Sequence, residues 1–373
     1  MLAAICYELD QPVRVEDVDL DEPKRGEVQV RMAASGVCHS DYSVTTGVMP
    51  ARLPCVLGHE GAGTVERIGE GVDHVKEGDR VLLSWVTPCG ICFYCGIGKP
   101  QLCDVGAKIN ATFRQPDGTT RMHRNGIDLQ TFSALGALAE QIVAPAKACV
   151  RLPDDAPLDK AALIGCSVMT GIGAVFNTAK VEAGSRVAVF GVGGVGLNVI
   201  QGAAIAGAER IIAVDVVRRK LDFATQFGAT DVVDASAQDP VAAIRDLTDG
   251  RGADYTFEAI GRKESIEQAY AAVRKGGTCV VIGIGSRKDS VNLNVFLIPV
   301  MERRLAGCWY GGADVHRDAL RLLALYREGK LKLDELLTRT YSLQEVNQAF
   351  ADLKAGLNAR GLVVYERTGM LNV

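Results

Sequence analysis

The sequence predicts an α/β protein of two domains, one built on a doubly wound parallel sheet and one rich in β-structure. Its 373 residues are too many for a single ordinary core. Between Arg186 and Ile282, short apolar runs alternate with helical stretches, the pattern of parallel strands joined by crossover helices. Up to about Cys149, short alternating runs such as Val28–Met32 and Gly63–Ile68 are punctuated by Gly, Pro and Asp.

Met1–Cys6 reads as a first strand, because it lacks the basic flank and long apolar core of a secretory signal, and Glu8 and Asp10 follow at once. Residues 110–128 are polar and rich in Arg and Thr, which predicts a long surface loop. The texture changes near Asp159. A strand is expected at Arg186–Phe190, a helix from about Val195 to Ala206, and a strand at Ile211–Val214 ending on Asp215, with a helical run at Lys220–Phe227. Strands at Asp231–Val233, Tyr255–Glu258 and Thr278–Ile282 then alternate with helices at Pro240–Leu247 and Glu264–Val273. Helices at His316–Glu328 and Leu343–Lys354 and a last strand at Gly361–Tyr365 complete the chain.

The composition, 48% apolar and 23% charged, is that of a globular protein, and a net charge of −4 gives no electrostatic case for nucleic acid or an anionic membrane. The uncharged stretch Val187–Ala208 is long enough to span a bilayer, but its glycines divide it into strand, turn and helix. Eleven cysteines in a chain of this kind point to metal or redox chemistry before disulfides, and the expected location is cytoplasmic.

Gly191-Val192-Gly193-Gly194-Val195-Gly196 matches G-x-G-x-x-G between a strand and a helix, the Rossmann dinucleotide loop. The first glycine permits the turn, the second lets backbone approach a pyrophosphate, and the third allows close packing of helix on strand. Asp215 closes the next strand where a carboxylate would hold ribose hydroxyls and repel a 2′-phosphate, which favours NAD over NADP. Arg218 and Arg219 pull the other way; Lys220 is the cation best placed to reach the ribose.

Cys89, Cys92, Cys95 and Cys103 lie within 15 residues, enough for a closed tetrahedral zinc shell. An iron–sulfur cluster is the competing metal, but its runs continue with a closer fourth cysteine followed by Pro, whereas Asp104 follows here. Disulfides at such short spacings would be strained or redox-active. Cys38-His39-Ser40-Asp41 and Gly58-His59-Glu60 place metal-ligand types beside carboxylates, and Cys166 lies in an apolar stretch that reads as core. Spacing alone does not bring these three segments together.

The motifs C-H-S-D, G-H-E-G-A-G, C-x₂-C-x₂-C-x₇-C, G-C-S-V-x-T-G and G-V-G-G-V-G, in that order, resemble the zinc-dependent medium-chain alcohol dehydrogenases, in particular the longer class with horse-liver-type and glutathione-dependent formaldehyde enzymes. The resemblance covers essentially the whole chain. It implies a GroES-like catalytic domain over residues 1–167 and 304–373 and a Rossmann NAD-binding domain over 168–303. It implies two zinc ions, one structural on the four clustered cysteines and one catalytic on Cys38, His59 and Cys166 with a fourth position open to water or substrate. Asp41 would orient His59, and Glu60 would stand behind the metal or occasionally ligate it.

Ser40 falls at the proton-relay position, while Ser43 stands where horse-liver-type enzymes carry the His that completes the relay. His39 and Arg360 match cofactor contacts, and Trp85 and Phe132 substrate-channel positions. The resemblance implies reversible hydride transfer between a primary alcohol, aromatic or of medium chain length, and NAD. Thiol-adduct formaldehyde oxidation is the enzymatic alternative, although the Arg of glutathione-dependent members is absent from Asp104-Val105-Gly106-Ala107. A zinc-stabilised NAD-binding protein without catalysis is the rival of another class; metal content separates the two. The expected assembly is a homodimer or tetramer, with Val295–Val300 at the subunit contact.

Overall fold

A computed structural model describes residues 1–365. The chain divides into two compact units, one formed by residues 1–166, 314–327 and 333 onward, the other by residues 167–313 and 328–332. The second crossing therefore lies ten residues later than the sequence suggests. The reason is Arg304–Gly307, which pairs in parallel with Val273–Val281 and so belongs to the nucleotide-type sheet.

In the first unit, the strand Glu27–Val37 is the hub. It pairs antiparallel with Gly61–Ile68, with Gln141–Pro145 and with Arg360–Val364. Its alternating side chains Val28, Val30 and Met32 enter one core with Val65, Val81 and Leu83. The Arg360–Val364 strand lies against Ala34–Val37, which is why the end of the chain returns to this unit. A second core gathers Cys6, Cys55, Phe113, Phe132, Tyr341 and Phe350.

Residues 110–128 are not a loop. The helix Asp104–Thr112 runs into them, and Met122–Arg124 pairs with Ile127–Thr131 in a hairpin. Asn125 and Gly126 both have positive φ, 50° and 76°, as a tight hairpin turn requires. Arg121 is 1% exposed, with Nε and Nη2 on the two oxygens of Glu27 at 2.8 and 2.6 Å and Nη2 also on Asp117 at 2.7 Å. Burial alone would raise the Asp117 carboxyl, but hydrogen bonds from Thr119 and the Arg121 guanidinium outweigh it and hold the carboxyl well below its usual range. A depressed folded-state pKa stabilises the fold fully above the unfolded pKa, and that contribution is lost progressively as pH falls from there through the folded pKa. The thermal midpoints of the wild type and Asp117→Asn should therefore differ by a constant amount above about pH 5, and the gap should narrow steadily between about pH 4 and pH 2.

In the second unit, six parallel strands lie in the order Asp231–Asp234, Arg210–Asp215, Arg186–Phe190, Ala253–Glu258, Val273–Val281, Arg304–Gly307. Numbered along the chain this is 3-2-1-4-5-6, the doubly wound arrangement, with the order reversing beside Arg186–Phe190. The expected strands and helices of this unit are all present, and Val187–Ala208 resolves into strand, turn and the helix Gly194–Ile205. Among the described residues, the apolar helical segment long enough to cross a membrane is a different one, Leu158–Ala179, and 78% of its most apolar 18-residue window is buried within the protein.

Candidate active site and metal centres

Two strand ends and one irregular helix assemble the first cluster. Cys38 ends the hub strand and caps the short helix His39–Thr45. Gly58, at φ +97°, turns the chain where a Cβ would lie 2.1 Å from the Leu138 nitrogen, and this turn delivers His59 and Glu60 just ahead of the strand Gly61–Ile68. Cys166 sits in a π-helical turn, Ile164–Val168, a local widening frequent at functional sites. Gly165 lets that turn approach the Leu83 carbonyl, where a Cβ would lie 2.7 Å away.

The ligand atoms of Cys38, His59, Glu60 and Cys166 all lie within 4.8 Å of one another. His59 Nε2 is 3.4 Å from Cys166 Sγ. Two ligands of a tetrahedral zinc, at bond lengths near 2.05 and 2.3 Å, stand roughly 3.6 Å apart, so the set fits the metal. Asp41, fully buried, accepts a hydrogen bond from the Gly58 N–H at 2.8 Å and holds His59 Nδ1 at 3.1 Å, leaving Nε2 to face the sulfurs. A hydrogen bond from the Cys166 thiol, with help from the charges of His59 and Arg360, draws Cys38 well below the usual thiol range; Cys166, holding the shared proton, is raised. Burial works against a charged His59, but Asp41 and Cys38 raise it.

Glu60 occupies space that exists because residue 36 is glycine; a Cβ there would lie 2.4 Å from Glu60 Cδ. Burial pushes the Glu60 carboxyl up to about 7, against the pull of Arg360. Arg360, which the sequence comparison of motifs assigns to the cofactor, is 4% exposed and donates Nη2 to Glu60 Oε1. Breaking a buried pair by removing one partner is costly, so Arg360→Leu should destabilise the protein by about 3 kcal/mol. Calorimetry should then find the first unfolding transition lowered by roughly 6–12 °C.

Ser40 lies on the first turn of the His39–Thr45 helix with Oγ 3.8 Å from Cys38 Sγ, and His39 is exposed at its head. Phe132, 4% exposed, packs its ring on His59 at 5.0 Å between centroids. Trp85 is half-buried against the core of the hub sheet.

The second cluster is closed. The sulfurs of Cys89, Cys92, Cys95 and Cys103 lie within 4.8 Å of one another, and Cys92 Sγ stands 3.8 Å from Cys103 Sγ. That is the edge of a tetrahedron with Zn–S bonds of about 2.3 Å. Backbone N–H groups of Cys95 and Asp104 lower the Cys92 thiol to about 6, while burial raises Cys95 to about 12. Four thiols with no open position suit a structural ion.

In the second unit, Gly191 has φ +91° and Gly193 caps the helix Gly194–Ile205. A Cβ on Gly193 would meet no protein atom within 4 Å, whereas one on Gly196 would lie 1.8 Å from the Gly191 carbonyl oxygen. The cradle is thus open where a pyrophosphate would pass and tight where helix meets strand, which suits a dinucleotide. Val195 follows Gly194 in the first turn. Asp215 accepts from the Val192 N–H at 2.8 Å and the Val217 N–H at 3.0 Å, which ties the end of its strand to the loop. Lys220 lies one turn further on, partly buried, in the helix Arg218–Ala224.

Comparison with known proteins gives a family for the whole chain. Residues 24–154 match the family model described as alcohol dehydrogenase GroES-like domain, and residues 194–325 match zinc-binding dehydrogenase. The chain is 39% identical to an NDMA-dependent alcohol dehydrogenase of Amycolatopsis methanolica, over 97% of this chain and 98% of that one. It is 39% identical to S-(hydroxymethyl)glutathione dehydrogenase of Saccharomyces cerevisiae, over 95% of this chain and 94% of that one. The crystal structure of benzyl alcohol dehydrogenase from Acinetobacter calcoaceticus superposes with a TM-score of 0.93 at 31% identity, covering 98% of this chain and 99% of that one. With a buried Cys₂His cluster, a four-thiol cage and a dinucleotide loop on such relatives, the chain belongs to the zinc-dependent medium-chain alcohol dehydrogenases.

Proposed function

We propose that this alcohol dehydrogenase interconverts primary alcohols and aldehydes with NAD, using one catalytic and one structural zinc per chain. The observation that carries this reading is the buried Cys38–His59–Cys166 set with Asp41 fixing the imidazole. When bound, zinc acidifies an alcohol or polarises a carbonyl, and the nicotinamide accepts or returns the hydride. The chain's own part is to place these and to move the proton. Ser40 Oγ takes the hydroxyl proton of the alcohol, and water carries it outward, since Ser43 is no base at neutral pH. His39 faces the anionic pyrophosphate, and Arg360 supports the metal site through Glu60. Asp215 receives the ribose hydroxyls, Lys220 assists, and a 2′-phosphate would meet the Asp215 charge, so NAD is preferred.

Aromatic and medium-chain alcohols are the favoured substrates. Ser40 leaves more room than Thr would, Phe132 and Trp85 supply aromatic walls, and a structural relative is a benzyl alcohol dehydrogenase. The test is a comparison of kcat/KM for benzyl alcohol, hexanol and ethanol with NAD and with NADP; much faster turnover of ethanol, or a preference for NADP, overturns the assignment. A formaldehyde assay with and without glutathione tests the second reading, which the yeast relative's name favours and the uncharged Val105-Gly106-Ala107 stretch opposes. Including NDMA as acceptor covers the dependence named for the Amycolatopsis relative.

Assembly is proposed as a homodimer through the exposed Val295, Phe296, Ile298 and Val300, beside the edge strand Arg304–Gly307. Sedimentation reads a dimer, a tetramer or a monomer, the last overturning it. The proposed location is cytoplasmic, where the six metal-site thiols stay reduced.

A further inference from the structure

The segment that leads away from the four-cysteine cage ends against Phe132, the ring that packs on His59. The Cys103 sulfur caps the helix Asp104–Thr112 by accepting from the Gly106 N–H at 3.5 Å. Gly106 seats the first turn on Thr87, whose carbonyl oxygen would lie 2.9 Å from a Cβ at that position. The helix has nine residues, a span of about 13 Å. It closes on Phe113 in the left-handed conformation, φ +55°, a position where glycine or asparagine is the usual occupant. A bulky side chain is strained there, so its ring must be held by contacts.

Those contacts are specific. The Phe113 ring packs on Phe132 at 4.8 Å, and Phe132 packs on His59 at 5.0 Å. The Phe113 carbonyl accepts from the Thr131 N–H at 3.2 Å. Two residues on, buried Gln115 donates Nε2 to the carbonyls of Ala134 at 3.1 Å and Val143 at 2.9 Å. Between these anchors, Ser133 and Ala134 are both left-handed, φ 55° and 56°, a strained turn that persists only when its surroundings fix it. All the members lie in the first unit.

We propose that Phe113 and Gln115 are positioning residues that transmit the order of the four-cysteine cage, through the helix Asp104–Thr112 and the Phe132 ring, to His59. The structural ion thereby stiffens a ligand of the catalytic one. This inference rests on the reading of Cys38, His59 and Cys166 as a zinc site.

The test follows loss of zinc from purified, fully loaded protein to an excess of a colorimetric chelator. Phe113→Leu keeps an apolar side chain but removes the ring, and Gln115→Met leaves two carbonyls without their donor. Each should release the faster-leaving zinc about tenfold sooner than wild type, the scale seen when partners behind a metal ligand are lost. KM for benzyl alcohol should rise while kcat stays within about twofold, as expected for a change in the pocket wall. Val81→Ala, a core deletion in the hub sheet whose side chain packs with Val28 and Val65 and not in the core of Phe113 and Phe132, should lower the thermal midpoint without changing the release rate. Emptying the cage by Cys103→Ala should accelerate release in the wild-type background and add little to Phe113→Leu.

Equal release from wild type and Phe113→Leu, or equal acceleration by Val81→Ala, overturns the proposal; Phe113→Leu carries the test even if Cys103→Ala fails to fold. A wild type that shows these release differences yet oxidises no alcohol would overturn the functional reading and leave the positioning role standing.

Discussion

Cys166→Ala is expected to abolish alcohol oxidation and to take the metal content from two ions per chain to one. In the proposed site Cys166 is one of three protein ligands, its sulfur 3.4 Å from His59 Nε2, and it lies in a π-helical turn. Without it, Cys38 and His59 are left with Glu60, whose carboxylate is engaged by Arg360, and that remnant should hold zinc far more weakly. What disappears with the ion is several kcal/mol of stabilisation of charge on the reacting oxygen, so kcat/KM should fall at least about a thousandfold. Alanine fits the buried site, and the four-thiol cage on Cys89–Cys103 is a separate set, so the fold and one zinc should remain. Asp41→Asn gives the graded comparison: the amide still meets the Gly58 N–H through its oxygen but no longer offers a carboxylate to His59, and activity should fall only about 10- to 100-fold. Two zincs per chain in Cys166→Ala, or retained turnover, would remove the assignment of this cysteine.

A pair of alanines in the glycine loop should separate cofactor binding from folding. Gly196→Ala places a Cβ 1.8 Å from the Gly191 carbonyl oxygen and 3.0 Å from its carbon, so the helix Gly194–Ile205 must move off the strand that precedes it. Both NAD affinity and the thermal midpoint of the second unit should fall, affinity by roughly a hundredfold, about 2.7 kcal/mol. Gly193→Ala meets no protein atom within 4 Å, so the thermal midpoint of the cofactor-free protein should be unchanged. Its methyl group instead stands where the backbone must approach a pyrophosphate, and affinity should fall comparably. Titration calorimetry and thermal unfolding read both; undiminished affinity in Gly193→Ala would place the phosphates elsewhere.

The features that were legible in the sequence are those whose parts are close along the chain. The glycine loop and Asp215 are separated by one helix, and the four cysteines of the cage span 15 residues, so spacing carries the chemistry. The other metal set is different. His59 and Cys166 are 107 residues apart, and no periodicity links a histidine after a glycine turn to a cysteine in an apolar helix. Only the family resemblance grouped them. The hairpin at Met122–Thr131 reads as a surface loop because its polar composition suggests exposure; Arg121 is buried through Glu27, 94 residues away, a partner no local rule supplies. The Asn125-Gly126 turn was a local signal for it. Likewise, four residues at Arg304–Gly307 are too short and mixed to announce an edge strand, which moved the domain boundary.

The return of the chain's last strand also sets a timetable. Glu60 leaves the ribosome 300 residues before Arg360, its buried counter-charge, and before the strand that covers one side of Ala34–Val37. While those 300 residues are made, the amino-terminal unit therefore carries an acid without its partner and a sheet edge open to other chains. The main body of the nucleotide unit, residues 167–313, has by then been made in full and can fold as a domain in its own right. Maturation of the metal-binding half waits for Arg360, and the nascent chain is most exposed to misassembly and to chaperone capture in the interval just before Arg360 emerges.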